Sequence, residues 1–513
     1  MNELNHCLEE ILGINFPEGI KISNATNSTD KVKEGSIFFG LPGANCHGSK
    51  YINKALDLGA SIAIHNDINY KSTKDNVYFI EDLETPYVGR ISPHKSQRNK
   101  VFEFLNFIYD EGDEGNKSLY PPNIHAFTGT NGKTSTAYLC HQLFNHLGYD
   151  SLYIGTLGVQ QNDAKINKSF TSKTTPDIFE YFEILNFYKN NFSQICIEVS
   201  SHALEQNRLK YIEEFVSTSI LNIEKDHLDY HKTEKAYQDA KFKIFNLSSE
   251  SIKIIDEDLK GSMESYKSIV DINDVTFISN KNRFSDIYYE IIESSIEKTT
   301  FLLTLKVNDK KTTKKNIKRF KFTCTLFPDF NIHNLVFALS SIGNLEEYFD
   351  ENIVNDLSFL DLPKGRSELI PNISSNVIID YAHNPGAFNF FLSSLEKYFE
   401  NLVVIFGCGG NRDKSKRSEM LKIAIKHASK VIFTSDNSRD EGFDDIYQDA
   451  IENNTLEKVI PIRDREKAII HGSTLIGEND CLAILGKGHE EIQEENGVIS
   501  FFSDHEVVNE IYK

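Results

Sequence analysis

The stretch Phe127-Thr-Gly-Thr-Asn-Gly-Lys-Thr-Ser135 constrains this chain more than any other. It follows a short apolar run, Ile124-His-Ala-Phe127. It leads into a segment where Leu139, Leu143 and Leu147 recur at helical spacing before Gly148. The pattern predicts a buried strand, a glycine-bearing loop and a helix over 134–147 with Gly148 as its C-cap. A helix N-terminus behind such a loop gathers backbone N–H groups, and its dipole favours anions. Gly129, Thr130, Asn131, Gly132, Lys133, Thr134 and Ser135 are therefore candidate phosphate-binding residues. Lys133 brings a mobile positive charge to phosphate oxygens, and the Thr134 hydroxyl is available to Mg²⁺. A full P-loop carries a second glycine with four residues between it and the Gly-Lys pair, and Phe127 holds that place. A glycine turn with a surface lysine is the bland alternative. The order strand, loop, lysine, hydroxyl, helix favours a nucleotide.

Composition bounds the rest. A length of 513 residues suggests roughly three domains of about 150 residues. The seven scattered cysteines contain no Cys-x-x-Cys pair, which argues for reduced thiols in the cytoplasm and against a structural zinc. No run reaches the length of a membrane span, and the N-terminus lacks a signal-peptide pattern. A net charge of −20 disfavours nucleic-acid binding by the whole chain. Anionic substrates would then have to be met by local arginines and lysines.

Residues 1–110 read as a small α/β unit. Ser36-Ile-Phe-Phe39 and Ser61-Ile-Ala-Ile64 are predicted strands around a helix over 51–58, with a glycine-bearing loop at 40–48. That loop could hold a ligand or merely connect. The polar stretch 110–118 is a predicted linker. In the next part, Ser172-Lys-Thr-Thr-Pro176 reads as a helix N-cap before Asp177. Ile195-Cys-Ile-Glu-Val-Ser-Ser-His202 is an apolar strand ending in a carboxylate, where α/β sheets place ligand groups. Glu198 there calls for a cation, Mg²⁺ or an arginine. Asp226-His-Leu-Asp-Tyr-His231 could coordinate a metal or be a solvated loop, and Lys241 and Lys243 read as one exposed face.

Residues 275–325 read as antiparallel strands, with a basic run at 309–319 as a solvated hairpin end. From about 346 onward, four apolar runs read as buried parallel strands: 377–380, 402–406, 431–434 and 482–485. Each is followed by a loop loaded with glycine or charge, where open α/β sheets bind ligands. Arginines in those loops suggest a carboxylate or phosphate ligand. Gly407-Cys-Gly-Gly410 is an incomplete dinucleotide fingerprint because Arg412 stands where its third glycine would be.

Thr128-Gly-Thr-Asn-Gly-Lys-Thr134, Glu198-Val-Ser-Ser-His202, Asp226-His-Leu-Asp-Tyr-His231, Asp380-Tyr-Ala-His383 and Gly486-Lys-Gly-His-Glu490, in this order, resemble the Mur ligase family. Within it they resemble members that add the third amino acid to UDP-N-acetylmuramoyl-L-alanyl-D-glutamate. The resemblance covers nearly the whole chain. It implies an α/β protein of three domains: a small N-terminal UDP-binding domain (1–115), a central P-loop-type ATP-binding domain with a parallel sheet (116–345), and a C-terminal Rossmann-like domain for the amino acid (346–513). It implies a monomeric cytoplasmic ligase of peptidoglycan precursor synthesis using ATP and Mg²⁺. ATP phosphorylates the substrate carboxylate, the amine attacks the acyl phosphate, and phosphate leaves. No enzyme nucleophile is required.

Residue roles follow from the same resemblance. Lys133 holds ATP phosphates, Thr134 and Glu198 hold one Mg²⁺, and His227 helps hold a second. Lys241 matches a carbamylated lysine whose added carboxylate ligates metal. Asn334, Arg366 and Asp380 match further nucleotide contacts. Thr26, Ser28, Ala44, Asn45 and Cys46 match the uridine side, and Thr174, Thr175, Ser200, Gln206 and Arg208 the muramoyl-peptide side. Arg412, Asp436, Asn437, Ser438, Arg439, Gly486 and Glu490 match positions that recognise meso-diaminopimelate. Ser438 replaces the proline of the family's Asp-Asn-Pro-Arg box. Arg439 is retained and could pair with the distal carboxylate. The alternatives are the same ligase using L-lysine or another diamino acid, a folylpolyglutamate synthase, or a nucleotide-gated binding module with ATPase activity only.

Overall fold

The computed structural model describes residues 9–15, 20, 22–43, 46–81, 83, 100–110, 123–170, 173–188, 192–210, 212, 215–308, 315–371 and 375–513. Most of the predicted linker, Ala44, Asn45, Ser172 and the 309–314 part of the basic run lie outside them. The chain forms two compact units. One holds residues 1–128, 144–218 and 240–252, the other residues 129–143, 219–239 and 253–513. Among the described residues no helix is long and apolar enough to cross a membrane.

The first unit begins with four parallel strands, Asn24–Thr26, Ser36–Gly40, Ala60–His65 and Val77–Phe79, adjacent in that order. The predicted helix is a 3₁₀ turn, Gly48–Tyr51, running into an α-helix, Ile52–Asp57. Phe38, Ile52, Ala55 and Ala63 form the small core between helix and sheet. Gly48 is required here because a Cβ would lie 2.8 Å from the Leu41 carbonyl oxygen. A second group of strands sits in the order Asn123–Thr128, Gln194–Glu198, Ser151–Gly155, Gly158–Gln161, parallel except for the last. Gln194–Glu198 is buried along its whole length around its apolar centre, Ile195-Cys-Ile197. The expected N-cap shifts by a residue or more. Asp177 itself caps Ile178–Phe187, its side chain accepting from the Glu180 amide.

In the second unit Ile287–Ser294, Thr299–Asn308 and Lys315–Cys324 form the expected antiparallel meander. Residues 315–319 of the basic run belong to its last strand rather than to a loop, and Lys318 pairs with Glu346 at 2.6 Å. The C-terminal sheet orders Glu368–Leu369, Asn376–Asp380, Cys481–Leu485, Leu402–Phe406, Lys430–Phe433 and Val459–Pro461, all parallel beyond the first pair. Alternate residues of these strands feed opposite faces. Ile378, Val404, Phe406, Phe433 and Ala483 pack against Pro385–Leu395, Ser415–His427 and Phe443–Ile451. Val377, Ile379, Ile405, Ile432 and Leu482 pack against Arg465–Ser473 and Asp504–Ile511. This period-two split explains why the runs are apolar throughout: both faces are covered by helices.

Behind this sheet lies an ion pair with no solvent contact. Arg465 Nε and Nη2 donate to the Asp504 carboxylate at 2.7 and 2.8 Å, and both side chains are 0 % exposed. Arg465 Nη2 also donates to the Leu485 carbonyl at 3.1 Å, tying the strand end to the last helix. Removing one partner of such a pair strands a buried charge. Asp504→Asn is therefore expected to lower unfolding stability by about 3–5 kcal/mol, read from the shift of the denaturant midpoint.

Candidate functional site

The phosphate-loop residues sit as the sequence pattern predicts, with Lys133–His146 as the helix. Gly132 has φ +85°, and a Cβ there would fall 2.4 Å from Asn334 Oδ1. Asn334 is fixed against the loop, donating to Asn331 Oδ1 at 3.1 Å and accepting from the Thr136 hydroxyl. The Lys133 ammonium donates to the loop's own carbonyls, Gly129 O at 2.8 Å and Thr130 O at 3.0 Å. The cation is thereby parked at the loop mouth by the concentration of carbonyl oxygens there. Arg366 Nη2 donates to Thr134 Oγ1 at 3.3 Å. Arg366 Nε is buried and has no hydrogen-bond partner among the described residues. A glycine loop closed to side chains, a lysine at its mouth and an arginine with a buried spare donor fit a nucleotide's phosphates.

Sequence reasoning missed how firmly residues 222–224 are tied to this loop. Asn131 N donates to Asn222 Oδ1 at 2.9 Å, and Asn222 Nδ2 donates back to Asn131 O at 3.1 Å. Glu224 N donates to Thr130 Oγ1, and Asn131 Nδ2 donates to the Glu224 carboxylate at 3.1 Å. A polar Asn-x-Glu just before Asp-His-Leu-Asp was the only trace of this in the sequence. His227 follows with φ +51°, left-handed and uncommon for a side chain with a Cβ. Its backbone amide donates to Asp226 Oδ1 at 2.9 Å.

Asp226, His227 and their neighbours open onto a cavity of about 500 Å³. Its far wall is built by loops at the carboxyl ends of the C-terminal strands and includes Arg412, Asp436, Asn437, Arg439, Gly486 and Glu490. Six of the seven residues expected to recognise the amino acid thus share one cavity; Ser438 is buried beside them. Glu490 is held by Asn437 Nδ2 at 2.8 Å and by the Tyr381 hydroxyl at 3.2 Å. Burial, reinforced by the negative charge of Asp436, raises its carboxyl above the usual range. Arg439 also has a left-handed backbone, φ +52°, and its Nη1 donates to Gly410 O at 2.9 Å and Asn437 O at 3.3 Å. Asp380 lies beneath, accepting from the Ser367 and Ala382 amides at 2.6 Å each. Burial raises its carboxyl, with Arg366 opposing.

His383 and Lys416 also line the cavity and were not singled out as site residues. The ring nitrogen Nδ1 of His383 bonds the Tyr381 carbonyl at 2.8 Å, so it carries the proton and Nε2 is the acceptor. Burial, reinforced by the Lys416 charge, pushes this imidazole down to about 4 and keeps it neutral.

The first unit brings another predicted set together. Thr175 Oγ1 donates to Glu198 O at 2.9 Å and accepts from Ser200 N at 2.9 Å. Arg208 donates to Thr175 O at 2.6 Å and to Gln206 Oε1 at 2.7 and 2.9 Å. Thr174 meets Thr156, whose amide and hydroxyl donate to Glu198 at 2.8 and 3.1 Å. Tyr153 OH adds a bond of 2.5 Å to the same carboxylate. Neutral donors thus meet the carboxylate for which a cation or an arginine was anticipated, and Gly155 leaves room for it, since a Cβ would lie 2.1 Å from Glu198 Oε1. At the uridine side, Ser28 N donates to Thr26 Oγ1 at 3.1 Å, and Cys46 faces Tyr51 OH at 3.7 Å.

Lys241 and Lys243 do not share an exposed face. Lys241 is 1 % exposed, whereas Lys243 is half-exposed and paired with Glu205 at 2.6 Å. The helix Glu234–Phe242 gives way to a 3₁₀ turn, Lys243–Asn246, which turns the second lysine outward. Among the described residues no group of three or more His, Cys, Asp or Glu forms a ready metal cage. Mg²⁺ does not need one, because it keeps waters and substrate phosphates among its ligands and takes only one or two protein groups. Of the four residues expected to serve Mg²⁺, Glu198 and Lys241 lie in the first unit and Thr134 and His227 in the second.

Comparison with known proteins accounts for this arrangement. Residues 127–342 match the Mur ligase middle domain and residues 365–488 the Mur ligase, glutamate ligase domain. A UDP-N-acetylmuramoyl-L-alanyl-D-glutamate–2,6-diaminopimelate ligase of Wigglesworthia glossinidia brevipalpis is 33 % identical, covering 96 % of this chain and 95 % of its own. The same-named enzyme of Rickettsia conorii is 30 % identical over 99 % of both chains. A solved structure of a ligase of that name, 26 % identical, superposes with a TM-score of 0.59 over 98 % of each chain. With full-length relatives at this identity and both domain models matched in order, the chain belongs to the Mur ligase family.

Proposed function

We propose that this protein is an ATP-dependent amide ligase that adds meso-diaminopimelate to UDP-N-acetylmuramoyl-L-alanyl-D-glutamate, acting as a monomer in the cytoplasm. The relatives named above carry that activity in their names. The observation that carries the substrate reading is the cavity that holds Arg412 and Arg439 together with Asp436 and Glu490. A diamino diacid presents carboxylates and ammonium groups at both ends, and such a mixed wall answers both. The Arg439 guanidinium suits the distal carboxylate, because a planar fork binds it through two N–H donors. Glu490 and Asp436 suit the ammonium beside it, whose charge would offset the burial and the Asp436 repulsion that together raise the Glu490 carboxyl. L-lysine lacks the distal carboxylate and would leave Arg439 with no partner from the substrate.

The reaction asks the protein to position and neutralise. The dipeptide carboxylate takes the γ-phosphoryl group of ATP, the amine adds to the acyl carbon, and phosphate departs while the amine loses a proton. Lys133, Thr134 and Arg366 are proposed to hold the phosphates, with Asn334 fixing the loop that carries them. Thr174, Thr175, Ser200, Gln206 and Arg208 are proposed to hold the muramoyl peptide. Glu198, His227, Thr134 and a carbamylated Lys241 would serve Mg²⁺, which lowers the charge repulsion between phosphates and carboxylate. Burial of Lys241 sets it apart from Lys243 and supports its assignment; the carbamate forms when the amine nitrogen adds to CO₂ and releases a proton.

ADP release should require both the muramoyl dipeptide and meso-diaminopimelate. ATPase activity indifferent to the amino acid would overturn the ligase reading, and preference for L-lysine would overturn the substrate. Lys241→Ala is expected to abolish turnover while Lys243→Ala retains most of it. Bicarbonate should fail to rescue Lys241→Ala, whereas a short-chain carboxylic acid restores part of the rate. Arg439→Lys trades a fork for a point charge, a loss of about 1.5–3 kcal/mol, so the diaminopimelate KM should rise about tenfold or more with the ATP KM little changed.

A further inference from the structure

Tyr381 connects two groups of residues that the reading above assigns to different substrates. On one side, the Arg366 guanidinium lies over its ring with Cζ 4.3 Å from the centroid. The same guanidinium donates through Nη2 to Thr134 Oγ1 at 3.3 Å. On the other side, the Tyr381 hydroxyl donates to Glu490 Oε1 at 3.2 Å, while Asn437 holds Oε2 at 2.8 Å. The line Thr134, Arg366, Tyr381, Glu490 is thus a run of direct contacts from the phosphate-loop helix to the amino-acid cavity. Each link is directional. The cation–π contact depends on the guanidinium staying over the ring face, and the hydrogen bond depends on where the ring carries its hydroxyl. The base of the side chain lies against the Gly488 backbone: a Cβ on Gly488 would lie 2.8 Å from Tyr381 Cβ. With its base fixed, a change at the guanidinium is passed to the hydroxyl rather than absorbed by backbone movement.

We propose that Tyr381 is a positioning residue that couples occupation of the phosphate loop to the orientation of Glu490, so that nucleotide binding readies the amino-acid site. This rests on the ligase reading given above. A phosphate group that engages Arg366 beside Thr134 favours the arrangement seen here, with the guanidinium over the ring and the hydroxyl on Glu490, over those in which the side chains part, and Glu490 then keeps the orientation that accepts the substrate ammonium. By linkage the amino acid strengthens nucleotide binding by the same factor.

A double-mutant cycle on the full chain separates coupling from packing. The four proteins are wild type, Arg366→Lys, Tyr381→Phe and the double variant, and the readout is the meso-diaminopimelate KM at saturating ATP. Tyr381→Phe keeps the ring over Arg366 and removes only the hydroxyl. Arg366→Lys should raise the diaminopimelate KM about three- to fivefold in the wild-type background and less than about twofold beside Tyr381→Phe. Effects that simply multiply across the cycle would overturn the coupling. Tyr381→Leu, which removes both links, should raise the ATP KM as well; an unchanged ATP KM there would also count against it. If Tyr381→Phe lowers the melting midpoint, Glu490→Gln replaces it, since it weakens the same hydrogen bond from the acceptor side. Turnover by the wild type tests the ligase reading separately, so a multiplicative cycle in an active enzyme removes the coupling alone.

Discussion

Charged groups at the carboxyl ends of buried parallel strands must each be met by donors or counter-charges, and this requirement shapes the protein. Burial of an unmatched ion costs more than the fold can spare. Glu198 therefore ends its strand among Tyr153 and Thr156 donors, and Asp380 ends another among the amides of Ser367 and Ala382. Arg465 and Asp504 neutralise each other behind the C-terminal sheet. Lys487, fully buried, gives its ammonium to the Ile492 carbonyl at 2.5 Å and lies 3.8 Å from Glu490. Each of these charges thus has protein partners supplied by the fold itself. This is what a ligase with no covalent bond to the enzyme needs, because its rate depends on positioning and on matching charge that develops during the reaction.

Close backbone approach is the second constraint. Gly155 makes room for the Glu198 carboxylate, Gly132 for Asn334, and Gly410 for the Ser438 carbonyl, where a Cβ would lie only 1.8 Å away. These glycines sit where a side chain or backbone from another element comes too close for a Cβ. The left-handed backbones of His227 and Arg439 belong to the same pattern. Each is held by hydrogen bonds on both sides, and Arg439 exchanges backbone bonds with Glu494 and Asn496 at 3.0 and 2.6 Å. That clamp holds the box in shape even though serine stands at position 438.

The secondary elements were legible because their signals are local. Helical leucine spacing marked Lys133–His146, and unbroken apolar runs marked the C-terminal strands. That the loops after the C-terminal strands would meet an anionic ligand was legible from their arginines, but grouping Arg412, Asp436, Arg439 and Glu490 at one cavity came only through the resemblance, since they stand on three separate loops. Lys241 and Lys243 show where local reading fails. Two lysines two residues apart look equivalent in sequence, yet the helix ends between them and one is buried while the other meets Glu205. Asn222 and Glu224 were passed over for the same reason, because their partners lie some 90 residues earlier: Asn131 for Asn222 and Thr130 for Glu224.

What the chain determined by itself is therefore the set of strands and helices, the phosphate loop between one of each, and the kinds of residue placed after each strand. Periodicity and turn chemistry act over a few neighbours, so a few neighbours suffice to read them. Which loops share a cavity, which lysine is buried, and that Tyr381 stands between Arg366 and Glu490 were decided only in three dimensions. Those outcomes depend on strand order and on side chains brought together from distant parts of the chain, where burial and charge pairing select the neighbours.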